Sequence, residues 1–301
     1  MELSLCLDPA RSWPELRTLA RHTDAAGWHA IYLPDHFMPH DPSGAPLGGP
    51  VAECWTTLSA LATQTSRVRL GSLVLGNTYR HPALVAKMAA TLDQVSGGRV
   101  VLGVGAGWQP NEHVAYGIPL PDAAERIAAL GEACAVLRTL LDEHRSTISG
   151  ATYRLLDAPC DPKALQERLP LLVGGGGEQR TMRVAAQYAD VWHTWADPVS
   201  FAGKNAVLDR HCREIGRDPA DIARATGGTV AVSSGPGRAH LGTGGDDVEG
   251  TTSQIVEQLL EFRRAGTDEF IVRDQASDVS LAATVDLIDA LTQEVLPVID
   301  A

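Results

Sequence analysis

The sequence has little of what nucleic-acid-binding or membrane-spanning proteins need. Its 25 lysines and arginines are outnumbered by 37 aspartates and glutamates, which leaves a formal charge of −12 and no basic run. Such a chain lacks the electrostatic footprint for nucleic acid and would be repelled by an anionic membrane surface. No apolar stretch approaches the roughly 20 residues of a membrane helix. We therefore expect neither a nucleic acid nor a membrane as partner.

Cysteine pairs and metal-ligand patterns are also missing. The five cysteines are scattered with no C-x-x-C pair, and no set of histidines and carboxylates shows ligand spacing. We therefore expect reduced thiols and no metal site. The segment MELSLCLDPARSW lacks the basic and long apolar regions of a signal peptide, so a cytoplasmic location is expected.

Length and composition indicate a globular enzyme. The chain has 301 residues, 44% of them hydrophobic, which fits two domains or one α/β barrel. Short aliphatic runs alternate with amphipathic helical stretches from end to end, the pattern of βα units on a parallel sheet. Eight runs predict strands: Leu3–Leu7, Ala30–Leu33, Val68–Leu75, Val100–Val104, Leu171–Val173, Val191–Thr194, Thr229–Ser233 and Glu269–Val272. Eight stretches predict helices: Pro14–Ala26, Cys54–Thr65, Pro82–Val95, Ala123–Glu143, Gln179–Tyr188, Pro198–Ile215, Ser253–Ala265 and Leu281–Val295.

Eight strands, each followed by a helix, predict a single (β/α)8 barrel domain over residues 1–301. A doubly wound sheet normally has fewer units and a glycine fingerprint after its first strand, where this chain reads Asp8-Pro9-Ala10. Three long connections interrupt the alternation: His40–Pro50, Ser146–Pro170 with a possible hairpin around Gly150, and Ser234–Gly250. The first and third are either lids over the C-terminal face of the barrel or tolerated insertions.

Polar and aromatic residues follow the predicted strands, where barrel enzymes place their active sites. Asp35 and His36 come after the second strand, and a histidine there suits acid/base catalysis as well as a structural role. Because neighbours on an extended segment point to opposite faces, these two side chains need not touch. Trp108, His193 and Trp195 are candidates for lining a pocket, although core packing explains tryptophans equally well.

A run of four glycines, Gly174–Gly177, lies between a predicted strand and a predicted helix. Successive glycines let backbone N–H groups converge beside a helix N-terminus, which favours a phosphate site over the alternative of a flexible turn. Arg180 and Arg183 could add charge there or simply be solvated. The separate G-x-G within Gly103–Gly107 is weak evidence for a dinucleotide, and its small residues would rather keep the barrel mouth open for a flat ring.

Four segments together resemble the luciferase-like monooxygenase superfamily, and in particular its coenzyme F420-dependent (deazaflavin-dependent) oxidoreductases. They read AIYLPDHFMP, RVRLGSLVLGNTYRHPALVAKMAATLDQVSGGRVVLGVGAGWQPNEHVAYG, PLLVGGGGEQRTMRVAAQYADVW and GTDEFIVRD. The second is the most specific, because its GVGAGW…NE…AYG string is hard to obtain by chance.

The resemblance implies a bacterial-luciferase-like (β/α)8 barrel, a homodimer, and a flavin or deazaflavin ring lying across the strand ends. It also implies a non-prolyl cis peptide bond, which would fall at Leu73–Val74, and it aligns His36 with the family's acid/base histidine. The family's contacts with the ring and the phosphate fall on Asp35, His36, Leu73, Val74, Ala106, Gly107, Gly175, Gly176 and Gly177.

The chain departs from the family pattern at Trp108. Sugar-phosphate and alcohol dehydrogenases of the branch carry a glutamate there, so their carboxylate proton donor is missing, while Glu112 matches a different, structural glutamate. This puts sugar-phosphate and simple alcohol chemistry in doubt. Trp108, His193 and Trp195 would instead line a pocket for an apolar or planar substrate.

The expected function is hydride transfer between C5 of coenzyme F420 and a small organic substrate, with His36 moving the accompanying proton. One alternative is an FMN-dependent monooxygenase supplied by a separate reductase. A non-catalytic deazaflavin- or flavin-binding protein is another, and an unrelated barrel enzyme with a phosphorylated substrate is a third.

Overall fold

The computed structural model describes residues 1–233, 246–276 and 279–299. The strands, numbered in chain order, are β1 Glu2–Cys6, β2 Ala30–Leu33, β3 Arg69–Ser72, β4 Leu75–Gly76, β5 Val100–Gly105, β6 Ser146–Ser149, β7 Arg154–Ala158, β8 Leu171–Gly174, β9 Val191–His193, β10 Ala223–Gly228, β11 Val230–Val232, β12 Val248–Gly250 and β13 Glu269–Arg273. The helices are α1 Trp13–Ala26, α2 Cys54–Ala62, α3 Pro82–Ser96, α4 Pro110–Tyr116, α5 Ala123–Asp142, α6 Thr181–Tyr188, α7 Pro198–Glu214, α8 Thr252–Arg264, α9 Leu281–Ala290 and α10 Leu296–Ile299. A π-helical turn, Leu291–Val295, joins α9 to α10, and a 3₁₀ turn covers Pro219–Asp221.

Parallel strands close into one barrel with eight positions. Their order is β3-β2-β1-β13-β10-β9-β8-β5-β4, and Leu70 of β3 pairs with Val100 of β5 to close the ring. Strands β3 and β4 are the two halves of the third position, separated by Leu73 and Val74. The predicted (β/α)8 barrel is confirmed.

The prediction for the seventh barrel strand was wrong. The predicted segment, Thr229–Ser233, mostly forms β11, which pairs with β12 in a separate two-stranded sheet. The barrel strand is β10, directly before it, and it pairs with β9 and β13. A Cβ on Gly227 would lie 1.9 Å from the Ile271 carbonyl oxygen, so the neighbouring strand requires a glycine where intrinsic strand propensity disfavours one.

The connections show one predicted and one unpredicted element. Strands β6 and β7 form an antiparallel hairpin, as the sequence around Gly150 suggested. Helix α4 was not predicted, and Pro110 stands at its start, where the fixed φ of proline suits the first helical turn. Of the third long connection, residues 234–245 lie outside the described residues.

Apolar side chains fill two layers. The larger lies between the sheet and the surrounding helices, and a smaller cluster, which includes Tyr32, Leu172 and Ile271, fills the barrel interior. Cys6 and Leu73 belong to the inner cluster and also line the cavity described below. The inner cluster therefore forms the floor of that cavity.

Side-chain caps fix where the helices begin, and so where the loops over the barrel end. The His81 Nδ1 atom accepts a hydrogen bond from the Ala83 amide at the start of α3, just before Pro82. The Asp197 carboxylate accepts from the Val199 and Ser200 amides at the start of α7. Such caps typically stabilise a helix by about 1 kcal/mol.

Within the described ranges, no helix is long and apolar enough to cross a membrane. The same residues contain no group of three or more histidine, cysteine, aspartate or glutamate side chains placed to hold a metal ion. All five cysteines are buried and free of disulfide bonds.

Candidate active site

A cavity of about 790 Å³ opens at the C-terminal ends of the barrel strands. Its size is typical of a site for a small molecule or cofactor. Ten of the residues predicted for the site line it: Asp35, His36, Leu73, Val74, Ala106, Gly107, Trp108, Gly175, His193 and Trp195. Gly176 and Gly177 lie beyond its lining, in the loop that follows Gly175.

His36 is held by a buried carboxylate. Its Nδ1 atom lies 2.9 Å from Oε1 of Glu112, whose side chain is fully buried, and the Phe37 amide donates to Glu112 Oε2 at 2.7 Å. The Tyr79 hydroxyl also donates to Glu112. Burial alone would raise the pKa of Glu112, but the hydrogen bonds from His36, Tyr79 and Phe37 outweigh it and lower the pKa. The ionised carboxylate therefore fixes one ring nitrogen of His36 and leaves Nε2 for the cavity.

Asp35 and His36 bond to different partners, in keeping with the alternation of an extended segment. Its carboxylate forms two hydrogen bonds with Arg80, at 2.7 and 3.0 Å, and accepts the Gly76 amide at 3.0 Å. Arg80 also pairs with Glu53 at 2.5 Å. Burial outweighs these contacts and raises the pKa of Asp35. The Asp35 side chain thus ties the end of β2 to β4 and the following loop.

The peptide bond between Leu73 and Val74 is cis, as predicted. Glycines make room for the Val74 side chain, because a Cβ on Gly105 or Gly174 would lie 2.7 or 2.9 Å from its methyl carbons. Gly107 has a φ of 77°, and a Cβ there would lie 2.6 Å from the Thr78 hydroxyl. The small residues at the ends of β5 and β8, and directly after β5, therefore let the Leu73–Val74 segment lie close to these strands.

The glycine run has mixed roles. The Gly175 amide donates to the His193 carbonyl at 2.9 Å, so it completes the barrel pairing. The Gly176 and Gly177 amides have no acceptor among the described residues, whereas the Gly176 carbonyl accepts from Lys204 at 2.9 Å. Lys204 lies on α7 and was missed, because its position beside the glycine run depends on how α7 packs on α6.

Two tryptophans stand at the cavity surface. Trp108 is 53% exposed and Trp195 is 37% exposed, so core packing does not account for them. The Trp108 ring meets His36 edge to face at 5.5 Å and tilts onto His40 at 4.8 Å. Arg273 was missed by sequence reasoning, and its guanidinium carbon lies 4.3 Å above the Trp195 ring.

His193 is almost completely buried beside Trp195. Only 4% of the residue is exposed, and its ring meets Trp195 edge to face at 4.5 Å. Burial, with a smaller effect from Arg273, lowers the pKa of His193 to about 3. The imidazole is therefore neutral at ordinary pH, with one donor and one acceptor nitrogen.

Sequence reasoning did not single out Arg80 or Tyr79, and it did not predict that Glu112 contacts His36. Glu112 was expected to be a structural glutamate, and it lies in the first turn of α4, within the most specific family string. A carboxylate in the first turn of a helix that follows a barrel strand was the available signal. Its pairing with His36, 76 residues earlier, depends on the unpredicted helix α4.

Comparison with known proteins identifies the family to which the chain belongs. The family model for luciferase-like monooxygenases matches residues 4–242. An F420-dependent glucose-6-phosphate dehydrogenase of Microbacterium testaceum is 35% identical over 202 residues, which cover 65% of this chain and 57% of the relative. The chain spans about half the length of the curated relatives it matches.

Two solved structures share the fold over nearly the whole chain. An F420-dependent secondary alcohol dehydrogenase in complex with an F420-acetone adduct has a TM-score of 0.83 and 21% identity, with 99% of this chain and 98% of that one covered. A monooxygenase from Streptomyces bottropensis has a TM-score of 0.82 and 20% identity, with 99% of each chain covered. With four-fifths of its length matched by the family model, the chain belongs to the luciferase-like monooxygenase family.

Proposed function

We propose that the chain is a coenzyme F420-dependent oxidoreductase that passes a hydride between C5 of the deazaflavin and a small organic substrate. The observation that carries the proposal is the His36–Glu112 pair, a histidine held by a buried carboxylate at the edge of a cavity of about 790 Å³. The curated relatives named F420-dependent glucose-6-phosphate dehydrogenase support the choice of cofactor.

His36 moves the proton in this proposal. Its Nδ1 is engaged by Glu112, so Nε2 is the nitrogen that gives a proton to the substrate or takes one from it. The anionic Glu112 stabilises the protonated ring and keeps its plane fixed. Trp108 lies against the same ring and also lines the cavity.

The loop after β8 fits the anionic side chain of F420. A Cβ on Gly176 would lie 2.7 Å from the Thr194 hydroxyl and 3.4 Å from the Lys204 ammonium. Gly176 therefore lies close to a hydroxyl and a cation, and the amides of Gly176 and Gly177 have no protein acceptor among the described residues. Hydrogen-bond donors beside a positive charge suit a phosphate group.

The residues around the cavity floor would hold the ring. Leu73, Val74, Ala106 and Gly107 present an apolar bulge and small side chains, and Asp35 and Gly175 complete the proposed set. Gly176 and Gly177, with Lys204, would hold the phosphate. When bound, the deazaflavin supplies two-electron hydride chemistry, and the protein positions the substrate and the proton.

Titration of the purified protein with oxidised F420 and, in parallel, FMN tests the cofactor assignment through the fluorescence or absorbance of each cofactor. We expect micromolar or tighter binding of F420, about −8 kcal/mol or better, and weaker binding of FMN. Preference for FMN would replace the proposal with an FMN-dependent monooxygenase. Failure to bind either would overturn the assignment of the strand-end residues.

His36→Ala tests the proton-transfer role. We expect F420 affinity close to that of the wild type and a loss of about 10²–10⁴-fold in kcat, the usual contribution of general acid–base catalysis. Activity is followed as oxidation of reduced F420 by a substrate identified in a screen. His144→Ala is the matched control, because His144 is exposed and lies outside the cavity. Equal turnover by His36→Ala and wild type would refute the role.

A further inference from the structure

A second, smaller concavity lies between helices α5 and α6, and we call it the α5–α6 groove. Its volume is about 320 Å³. Small and apolar residues line it on the α5 side, and polar and charged residues predominate on the other side: Ala124, Ile127, Ala128 and Gly131, then Gln179, Arg180, Arg183 and Val184. The lining therefore contains two cations and no carboxylate.

The two arginines of the groove are without partners. Arg180 and Arg183 are exposed, and neither guanidinium forms a hydrogen bond or an ion pair within the part of the chain that the structure describes. Carboxylates on the adjoining segments are engaged elsewhere: Glu178 pairs with Lys204 at 3.5 Å, and Glu132 accepts amides of the β6–β7 hairpin. In a chain with a formal charge of −12, a concave surface with two unpaired cations attracts an anion.

The groove adjoins the cavity at the ends of the barrel strands. Ile127 lines both of them. Thr181 lines the cavity, and Arg180, directly before it in the chain, lines the groove. Gly177, the last residue of the glycine run, is three positions before Arg180. A ligand with its phosphate at the glycine run can therefore continue into the groove along the protein surface.

The two cofactors compared above differ in this part of the molecule. FMN ends at its phosphate, whereas F420 continues past its phosphate into a chain of glutamates that carry carboxylates. Arginine binds carboxylates through paired N–H donors and stays charged at any pH at which the protein is folded. The charge and the position of the groove thus match the part of F420 that FMN lacks.

We propose that the α5–α6 groove is a second anion subsite for the cofactor, in which Arg180 and Arg183 bind glutamate carboxylates of the F420 side chain. The proposal rests on the proposed function and deepens it, because it gives the protein a way to prefer F420 to FMN that does not involve the ring. The groove contributes binding free energy, and hydride and proton transfer stay in the cavity.

Binding of two forms of oxidised F420 tests the subsite without turnover. One form carries several glutamates, and the other lacks all of them but keeps the ring and the phosphate. Fluorescence titration at low salt gives each Kd. We expect the wild type to bind the glutamate-bearing form about tenfold more tightly, which is 1.4 kcal/mol shared between two ion pairs. The preference should disappear near 1 M salt, where the Debye length is about 3 Å.

Variants assign the preference to the two arginines. Arg180→Gln combined with Arg183→Gln should bring the Kd of the glutamate-bearing form to that of the other form, which should stay within about twofold of its wild-type value. The matched control is Arg17→Gln combined with Arg21→Gln, because these two exposed arginines lie on α1, outside the groove and the cavity. The control removes the same charge and should keep the tenfold preference.

The outcomes separate this subsite from the proposed function. Binding of both F420 forms with equal affinity by the wild type would overturn the subsite alone. So would a preference that survives in the Arg180/Arg183 double variant, or one that the control loses to the same extent. An equal loss of affinity for both forms in that double variant would show that the arginines act on the phosphate or the fold, and would also overturn the subsite. Absence of binding of either form by the wild type would overturn the proposed function itself.

Discussion

Replacing Glu112 by glutamine should disturb both stability and the orientation of His36. Three donors converge on the buried carboxylate: Nδ1 of His36 at 2.9 Å, the Phe37 amide at 2.7 Å and the Tyr79 hydroxyl. A glutamine has the same shape but only one oxygen. Its NH₂ group must therefore face at least one of the three donors. The loss is greatest where the NH₂ group faces the Phe37 N–H or the Nδ1–H of His36, because neither group can accept a hydrogen bond in return.

The size of the effect follows from these contacts. A hydrogen bond to a charged group contributes about 1.5–3 kcal/mol, and a buried donor left unpaired costs about 1–3 kcal/mol, so Glu112→Gln should lower the free energy of unfolding by about 2–4 kcal/mol near neutral pH. The pKa of Glu112 is lowered in the folded protein, because the three donors outweigh burial. Its contribution is therefore present above the ordinary glutamate pKa and disappears as pH falls through the lowered value. Urea unfolding should show the wild type and the variant converging in acid.

The orientation of the ring can be measured directly. In the wild type, Glu112 requires hydrogen on Nδ1 of His36, whereas a glutamine NH₂ group can donate to Nδ1 and favour the tautomer with hydrogen on Nε2. Nitrogen-15 spectra of histidine-labelled protein distinguish the two, and His36→Ala assigns the signal. Tyr79→Phe is the control, because it removes one donor to the carboxylate, at a cost of about 1.5–3 kcal/mol, and leaves the tautomer of His36 unchanged. An unchanged tautomer together with a stability loss below about 0.5 kcal/mol in Glu112→Gln would refute the reasoning, since such a loss is within that of an ordinary surface substitution.

Two further predictions concern buried charges. Arg80→Met leaves Asp35 buried without its cation and should lower the free energy of unfolding in urea by about 3–5 kcal/mol. Adding Asp35→Asn to this variant should recover much of that loss, and full stability of Arg80→Met alone would contradict the prediction. Burial raises the pKa of Glu269, which accepts hydrogen bonds from Ser4 and Tyr32. Because the folded protein favours protonated Glu269, stability is complete below the ordinary pKa and declines as pH rises through the raised value, and Glu269→Gln should flatten this decline in Tm measured against pH.

The barrel could be predicted because its signals are local. Alternation of apolar runs with helical stretches depends on neighbouring residues, and seven of the eight barrel strands were placed near their observed positions. The exception, β10, has the sequence ARATGG, and its glycine is imposed by the Ile271 backbone of the adjacent strand. Local propensity favoured the valine-rich segment that follows, because a contact between strands leaves no trace in nearby sequence.

The site was predictable as a set of positions but not as a set of pairs. Residues such as Asp35, His36 and Trp108 follow barrel strands, so the fold alone brings them to one cavity. Their partners lie on loops and helices whose packing is tertiary: Arg80 is 45 residues from Asp35, and Glu112 is 76 residues from His36. The sequence contained these partners, but only the structure shows which charges they neutralise.

The pairing of charges differs between the two sides of the cavity. Around His36, the carboxylates of Glu112 and Asp35 each have several donors, so the side of the cavity proposed to transfer the proton is held in place before any ligand binds. At His193, a nitrogen is left unpaired in the free protein. Preorganised groups lower the barrier of the chemical step, whereas a buried atom without a partner only costs folding free energy. Substitutions on the two sides should therefore differ: changes at Glu112 should lower the free energy of unfolding, whereas His193→Leu removes an unpaired buried atom and should leave Tm the same or raise it.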